Sequence, residues 1–162
     1  MDGHLLIQNA TLILPDRVVE GDLRVSGGSI STIAPGGGLD AGSNEAVIDG
    51  TGLHLLPGAI DPHVHFREPG STEKEDLESG SRAAAAGGVT SFLDMPNNNP
   101  NATNRSSLER KIAIASKKSV THHGFFIGAT NDNIADLQSV EGMDGVCGIK
   151  IFMGSSTGDL LV

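Results

Sequence analysis

Apolar and polar positions alternate over short stretches at the start of the chain. Residues 4–14 (HLLIQNATLIL) and 18–34 (VVEGDLRVSGGSISTIA) are rich in β-branched and aliphatic side chains broken by Gly and Pro, and Leu23 and Val25 alternate with Asp22, Arg24 and Ser26. A period of two puts one set of side chains on one face, so both stretches predict antiparallel strands. The Pro35-Gly36-Gly37-Gly38 cluster and the polar run to Glu45 predict a loop, after which the strand pattern resumes at 46–48 and 53–56. Residues 1–56 are read as one small β unit.

The rhythm changes at Pro57. A strand closing on a pair of histidines is followed by a helical stretch, 77–86, that ends on Gly87-Gly88, a suitable C-cap. Residues 89–95 predict a strand and the Pro- and Asn-rich 96–105 a loop. Residues 106–118 predict a helix with Leu108, Ile112 and Ala115 on one face. Strands at 120–127 and 148–153 enclose a short helix at 133–140. Strands alternating with helices predict α/β architecture with parallel βαβ units. That fits a doubly wound sheet or half of an eight-stranded (β/α) barrel, and periodicity alone does not choose.

Composition narrows the function. Of 162 residues, 38% are hydrophobic and 19% charged, values of a folded chain rather than a disordered one. A net charge of −9, with Lys and Arg scattered, argues against a nucleic-acid partner, so a small-molecule substrate is expected. The single Cys147 cannot form an internal disulfide and reads as a small core residue. No apolar run approaches the roughly 18 residues that span a bilayer, and no signal-like h-region opens the chain. Membrane association is not expected, and the cytoplasm is the expected location.

The chemistry concentrates around the histidine pair. His63 and His65 are one residue apart, so on a strand both face the same way and can grip one metal ion. A bare His-x-His is weak evidence, but this one follows Leu55-Leu56-Pro57-Gly58-Ala59-Ile60, at the strand end where barrel enzymes keep their sites. Asp61 reads as a turn cap or as a carboxylate that fixes the imidazoles. Arg67 presents a rigid fork that matches a carboxylate bidentately, or else pairs on the surface with Glu68 or Glu73. Lys150, between Ile149 and Ile151, is read in a buried strand, where an ammonium is costly. A neutral amine there can add carbon dioxide to form a metal-bridging carbamate; the rival reading is an ion pair with Asp94. Asn97 has the ordinary character of a turn residue. His122 and His123 are adjacent, so only one can face a site, and neither is read as a ligand. Glu73, Glu75 and Asp76 precede a helix, whose dipole favours carboxylates.

The stretches Asp61-Pro62-His63-Val64-His65-Phe66-Arg67-Glu68-Pro69-Gly70, Glu75-Asp76-Leu77-Glu78-Ser79-Gly80, Ala83-Ala84-Ala85-Ala86-Gly87-Gly88-Val89-Thr90 and Met95-Pro96-Asn97 together resemble the dihydroorotase family of cyclic amidohydrolases. The likeness runs from about residue 5 to 162. It implies the N-terminal part of a (β/α)8 TIM-like barrel, with residues 1–56 part of a composite β-sandwich and 57–162 the first half of the barrel. It implies two zinc ions, with His63 and His65 on the more buried one and a carboxylated Lys150 within Lys150-Ile151-Phe152-Met153-Gly154-Ser155-Ser156-Thr157-Gly158. The implied reaction is the reversible interconversion of dihydroorotate and N-carbamoyl-aspartate in pyrimidine biosynthesis, with Arg67 and Asn97 holding the substrate carboxylate. The family more often has Asn-Thr where this chain has Asn97-Asn98.

Related allantoinases and dihydropyrimidinases lack the arginine at position 67, which separates them from this reading. By the same resemblance, further histidines from strands five and six and a general acid/base aspartate fall beyond Val162. The chain is therefore expected to be an incomplete and inactive fragment of an enzyme that is a homo-oligomer at full length. A non-catalytic scaffold associated with aspartate carbamoyltransferase is the alternative of another class, and retention of His63, His65 and Lys150 weighs against it.

Overall fold

The computed structural model describes residues 3–154 and 160–162, and the chain divides into two units, Met1–Pro57 and Gly58–Val162. In the first, β1 (Leu5–Ile13), β2 (Val18–Ser26) and β3 (Ser29–Pro35) pair antiparallel in sequence. β4 (Ala46–Asp49) and β5 (His54–Leu55) both add to β1 in parallel, giving the order β3-β2-β1-β4 with β5 also on β1. Alternation predicts the strands but not this parallel return, which the long Gly-rich connection to β4 permits. Ala10, Leu12 and Leu23 form the small core. The alternation along β1 is interrupted where Asn9 takes a φ of 58° and the pairing with β2 shifts between Ile7 and Ala10. Asparagine tolerates that left-handed conformation, and the shift is a β-bulge.

In the second unit β6 (Ala59–Val64), β7 (Val89–Asp94), β8 (His122–Gly128) and β9 (Val146–Lys150) form one parallel sheet in the order β6-β7-β8-β9. A doubly wound sheet reverses its strand order at a switch point, whereas these strands follow one another as in an arc of a barrel. Helices α1 (Leu77–Ala86), α2 (Arg105–Lys118) and α3 (Ile134–Ser139) connect them. Both longer helices begin with reciprocal caps: Asp76 accepts from Ser79 N at 2.7 Å and Asn104 accepts from Ser107 N at 2.9 Å. Leu77, Phe92, Leu108, Ala115, Phe125 and Ile127 form the buried core between sheet and helices.

Two expectations are corrected here. β9 runs over 146–150 rather than 148–153, so Lys150 closes the strand instead of sitting in its middle, and it is half-buried. Cys147 is exposed rather than a core residue, as is its neighbour on that face, Ile149. β9 pairs only with β8 among the described strands, so it is an edge strand of this sheet. No described helix is long and apolar enough to cross a membrane.

Candidate metal and substrate site

β6 does not leave the sheet as a regular strand. Pro62 has no N–H to donate, and the pairing with β7 shifts between Asp61 and Val64. Asp61 Oδ1 accepts from His63 N at 3.1 Å, the turn-capping role. β6 ends at Val64, so His65 and Arg67 lie beyond it, and plain alternation is not what gathers these side chains. The irregular exit does so instead, bringing His63 Nε2 within 3.2 Å of His65 Nε2. Two nitrogens of a tetrahedral zinc with Zn–N of about 2.0–2.1 Å lie roughly 3.3 Å apart, so the pair fits one zinc ion.

Asn97, just past β7, sets the orientation of the second ring. Its Oδ1 lies 2.7 Å from His65 Nδ1. A carbonyl oxygen only accepts, so Nδ1 carries the hydrogen and Nε2 keeps its lone pair on the side shared with His63. The amide NH2 of Asn97 has no hydrogen-bond partner among the described residues. Asn97 and Arg67 both line a cavity of about 570 Å3, together with Ser71, Lys74, Asn99 and Asn101. Its two walls approach closely because residue 70 lacks a side chain: Gly70 has a φ of 120°, and a Cβ there would come 2.8 Å from Asn99 Cβ.

Arg67 is exposed and makes no ion pair among the described residues. Glu68, its alternative partner, is buried and otherwise engaged, accepting from Leu77 N at 3.0 Å and from Lys118 Nζ at 2.6 Å. Lys150 ends β9 on the same carboxyl edge of the sheet as the histidines, three strands from β6, with Nζ 5.1 Å from the centre of the Phe152 ring. The rest of its motif, residues 155–158, lies outside the described residues. Asp94 is not its partner. That carboxylate lies 2.8 Å from Lys111 Nζ. Among the described residues no group of three or more His, Cys, Asp and Glu converges as a metal site. His122 is exposed, and the His123 ring lies 5.7 Å from that of Phe125.

Two lysines that the motifs do not single out also bear on the site: Lys74 lines the cavity and Lys111 lies beneath it. Lys111 is 1% exposed. Its position three residues after Leu108 and four before Ala115 puts it on the apolar stripe of α2, a signal that was available.

Residues 54–144 match the amidohydrolase family. An allantoinase of Deinococcus radiodurans is 39% identical over 157 residues, covering 96% of this chain and 34% of that protein. A dihydroorotase of Methanosarcina acetivorans is 39% identical over 154 residues, covering 95% of this chain and 32% of that one. An L-hydantoinase (dihydropyrimidinase) of Arthrobacter aurescens superposes with a TM-score of 0.86 at 24% identity, over 98% of this chain and 35% of that one, a likeness of fold alone. The chain thus spans about a third of the length of the curated relatives it matches. Equal identity to an allantoinase and a dihydroorotase leaves the substrate to be argued from the site.

Proposed function

The chain belongs to the amidohydrolase family, and on that premise we propose that it is the N-terminal part of a zinc-dependent dihydroorotase, opening the cyclic amide of dihydroorotate to N-carbamoyl-aspartate and closing it again. In this reading residues 1–56 contribute to a β-sandwich and 57–162 form the first half of the barrel. The enzyme acts in the cytoplasm as a homo-oligomer, and the same reading extends to association with aspartate carbamoyltransferase. The observation that carries it is that Arg67 and Asn97 line one cavity while Asn97 also touches a candidate metal histidine.

His63 and His65 would hold one zinc ion, and a carboxylated Lys150 would join it to a second. When bound, zinc supplies a Lewis acid for the scissile carbonyl. The residues of this chain bind and orient. The Arg67 guanidinium takes the substrate carboxylate through two parallel N–H bonds, one to each oxygen, and the Asn97 NH2 donates to a second lone pair on one of them. Fixing this remote group holds the substrate at the histidine end of the site and supplies binding energy that is read in KM.

Allantoinase is the second reading, favoured by a relative of equal identity. Allantoin has no carboxylate to match Arg67, which is why dihydroorotate is preferred. Arg67→Ala in the whole enzyme is expected to raise KM for dihydroorotate by roughly ten- to a hundredfold with little change in kcat, since a hydrogen bond to a charged group contributes about 1.5–3 kcal/mol. A wild-type enzyme that opens allantoin but not dihydroorotate would overturn the substrate assignment.

A further inference from the structure

Lys111 and Asp94 are the most deeply buried charged pair described, and no step above uses them. Lys111 Nζ lies 2.8 Å from Asp94 Oδ2 and donates to Met95 O at 2.9 Å and to Asn98 Oδ1 at 2.5 Å. Nζ thus donates two hydrogen bonds and has the Asp94 carboxylate as its ion-pair partner. The orientation of Asn98 is fixed independently. Its NH2 donates to Phe66 O at 2.9 Å and to Glu68 O at 3.1 Å, so Oδ1 must be the atom facing Lys111. The other oxygen of Asp94 accepts from Phe66 N at 3.0 Å. Burial pushes the Asp94 carboxyl above its ordinary range and the Lys111 ammonium below its own, and the pairing opposes both shifts.

These bonds have a pattern. Asp94 and Asn98 grip the backbone at Phe66 N, Phe66 O and Glu68 O, on either side of Arg67. Lys111 holds Met95 O and Asn98, on either side of Asn97. One ammonium therefore supports both walls that carry the carboxylate contacts. We infer that Lys111 is a positioning residue which sets the spacing between Arg67 and Asn97, an inference that rests on those two residues being the substrate contacts. A surface lysine would not serve. Held by two buried acceptors and a buried ion pair, this one cannot re-aim without leaving a buried polar group unpaired.

The test uses the whole enzyme with Lys111→Met, which keeps the volume and removes the charge, and Asn98→Ala, which leaves the ion pair and removes the grip on Phe66 O and Glu68 O. Two readouts are taken: the KM-against-kcat split for the cyclic amide that the wild type opens, and amide hydrogen exchange at Phe66, whose N–H is bonded to Asp94. Each variant is expected to raise KM about tenfold with kcat within about threefold, and to speed exchange at Phe66. If Lys111→Met does not fold, Asn98→Ala decides by the same readouts. An unchanged KM in the folded variants, whether or not exchange rises, overturns the inference and leaves Lys111 a stabilising residue. Failure of the dihydroorotate reading is seen separately, in the wild type.

Discussion

His65 Nδ1 and Asn97 Oδ1 lie 2.7 Å apart, and this one bond joins the candidate metal pair to the cavity that Arg67 lines. Asn97 thus has two ends with separable duties: an acceptor that fixes an imidazole and donors left for a substrate. The two ends can be taken away one at a time.

Asn97→Asp keeps an acceptor for His65 but removes the NH2 donors and sets a negative charge against the substrate carboxylate. The variant is expected to retain zinc while KM for dihydroorotate rises more than about tenfold. Asn97→Ala removes both ends and is expected to lower zinc affinity by roughly ten- to a hundredfold, the usual effect of losing the partner that orients a metal-binding imidazole. Zinc titration of the two variants beside their KM values makes the comparison; equal loss of zinc in both would break the division of labour.

Lys150 tests the metal count. The whole enzyme is expected to bind about two zinc ions, with a carbamate on Lys150 joining them, so Lys150→Ala should remove the joined pair. Metal analysis of wild type and variant reads this directly. Unchanged occupancy in the variant would exclude a bridging role and would leave Lys150 as the half-buried residue beside Phe152 that the described chain shows.

What the sequence made legible, and what it hid, follows from how local each signal is. The helix at 77–86 was readable to the residue because its N-cap, Asp76, and its C-cap, Gly87, are local chemistry. The parallel sheet was readable as alternating strands and helices, but its order β6-β7-β8-β9 emerges only from pairing between segments far apart in the chain. His63, His65, Arg67 and Asn97 were readable as residue types at a strand end. The reason they meet was not, because regular alternation from Asp61 to Arg67 fails at Pro62 and the shift before Val64. Lys111 was hidden by its charge. A lysine on a helix is ordinarily solvated, so its place on the apolar stripe of α2 is outweighed by its charge until the buried Asp94, Met95 O and Asn98 show it as interior.

Asp22, in the unit before Gly58, offers a test that needs no substrate or metal. Its carboxylate is 1% exposed and accepts from Leu39 N and Asn9 N, each at 2.9 Å, tying the bulge of β1 to the glycine-rich loop. Those backbone N–H groups, Leu39 first and then Asn9, hold its pKa below the ordinary 3.8, against the opposing effect of burial. In the window between the lowered folded value and 3.8 the unfolded chain binds more protons than the folded one, so stability falls as pH drops. The contribution is complete above the unfolded value and is lost as pH falls through the folded one. Asp22→Asn presents an NH2 where an acceptor is needed and is expected to destabilise the protein by about 1–3 kcal/mol at neutral pH, the cost of a buried group left unpaired. Because the variant has no carboxyl to protonate, the stability gap between wild type and variant should narrow on acidification below pH 3.8. Urea unfolding of both proteins across that range measures the gap, and a gap that stays constant would show that the charge on Asp22 does not hold the loop.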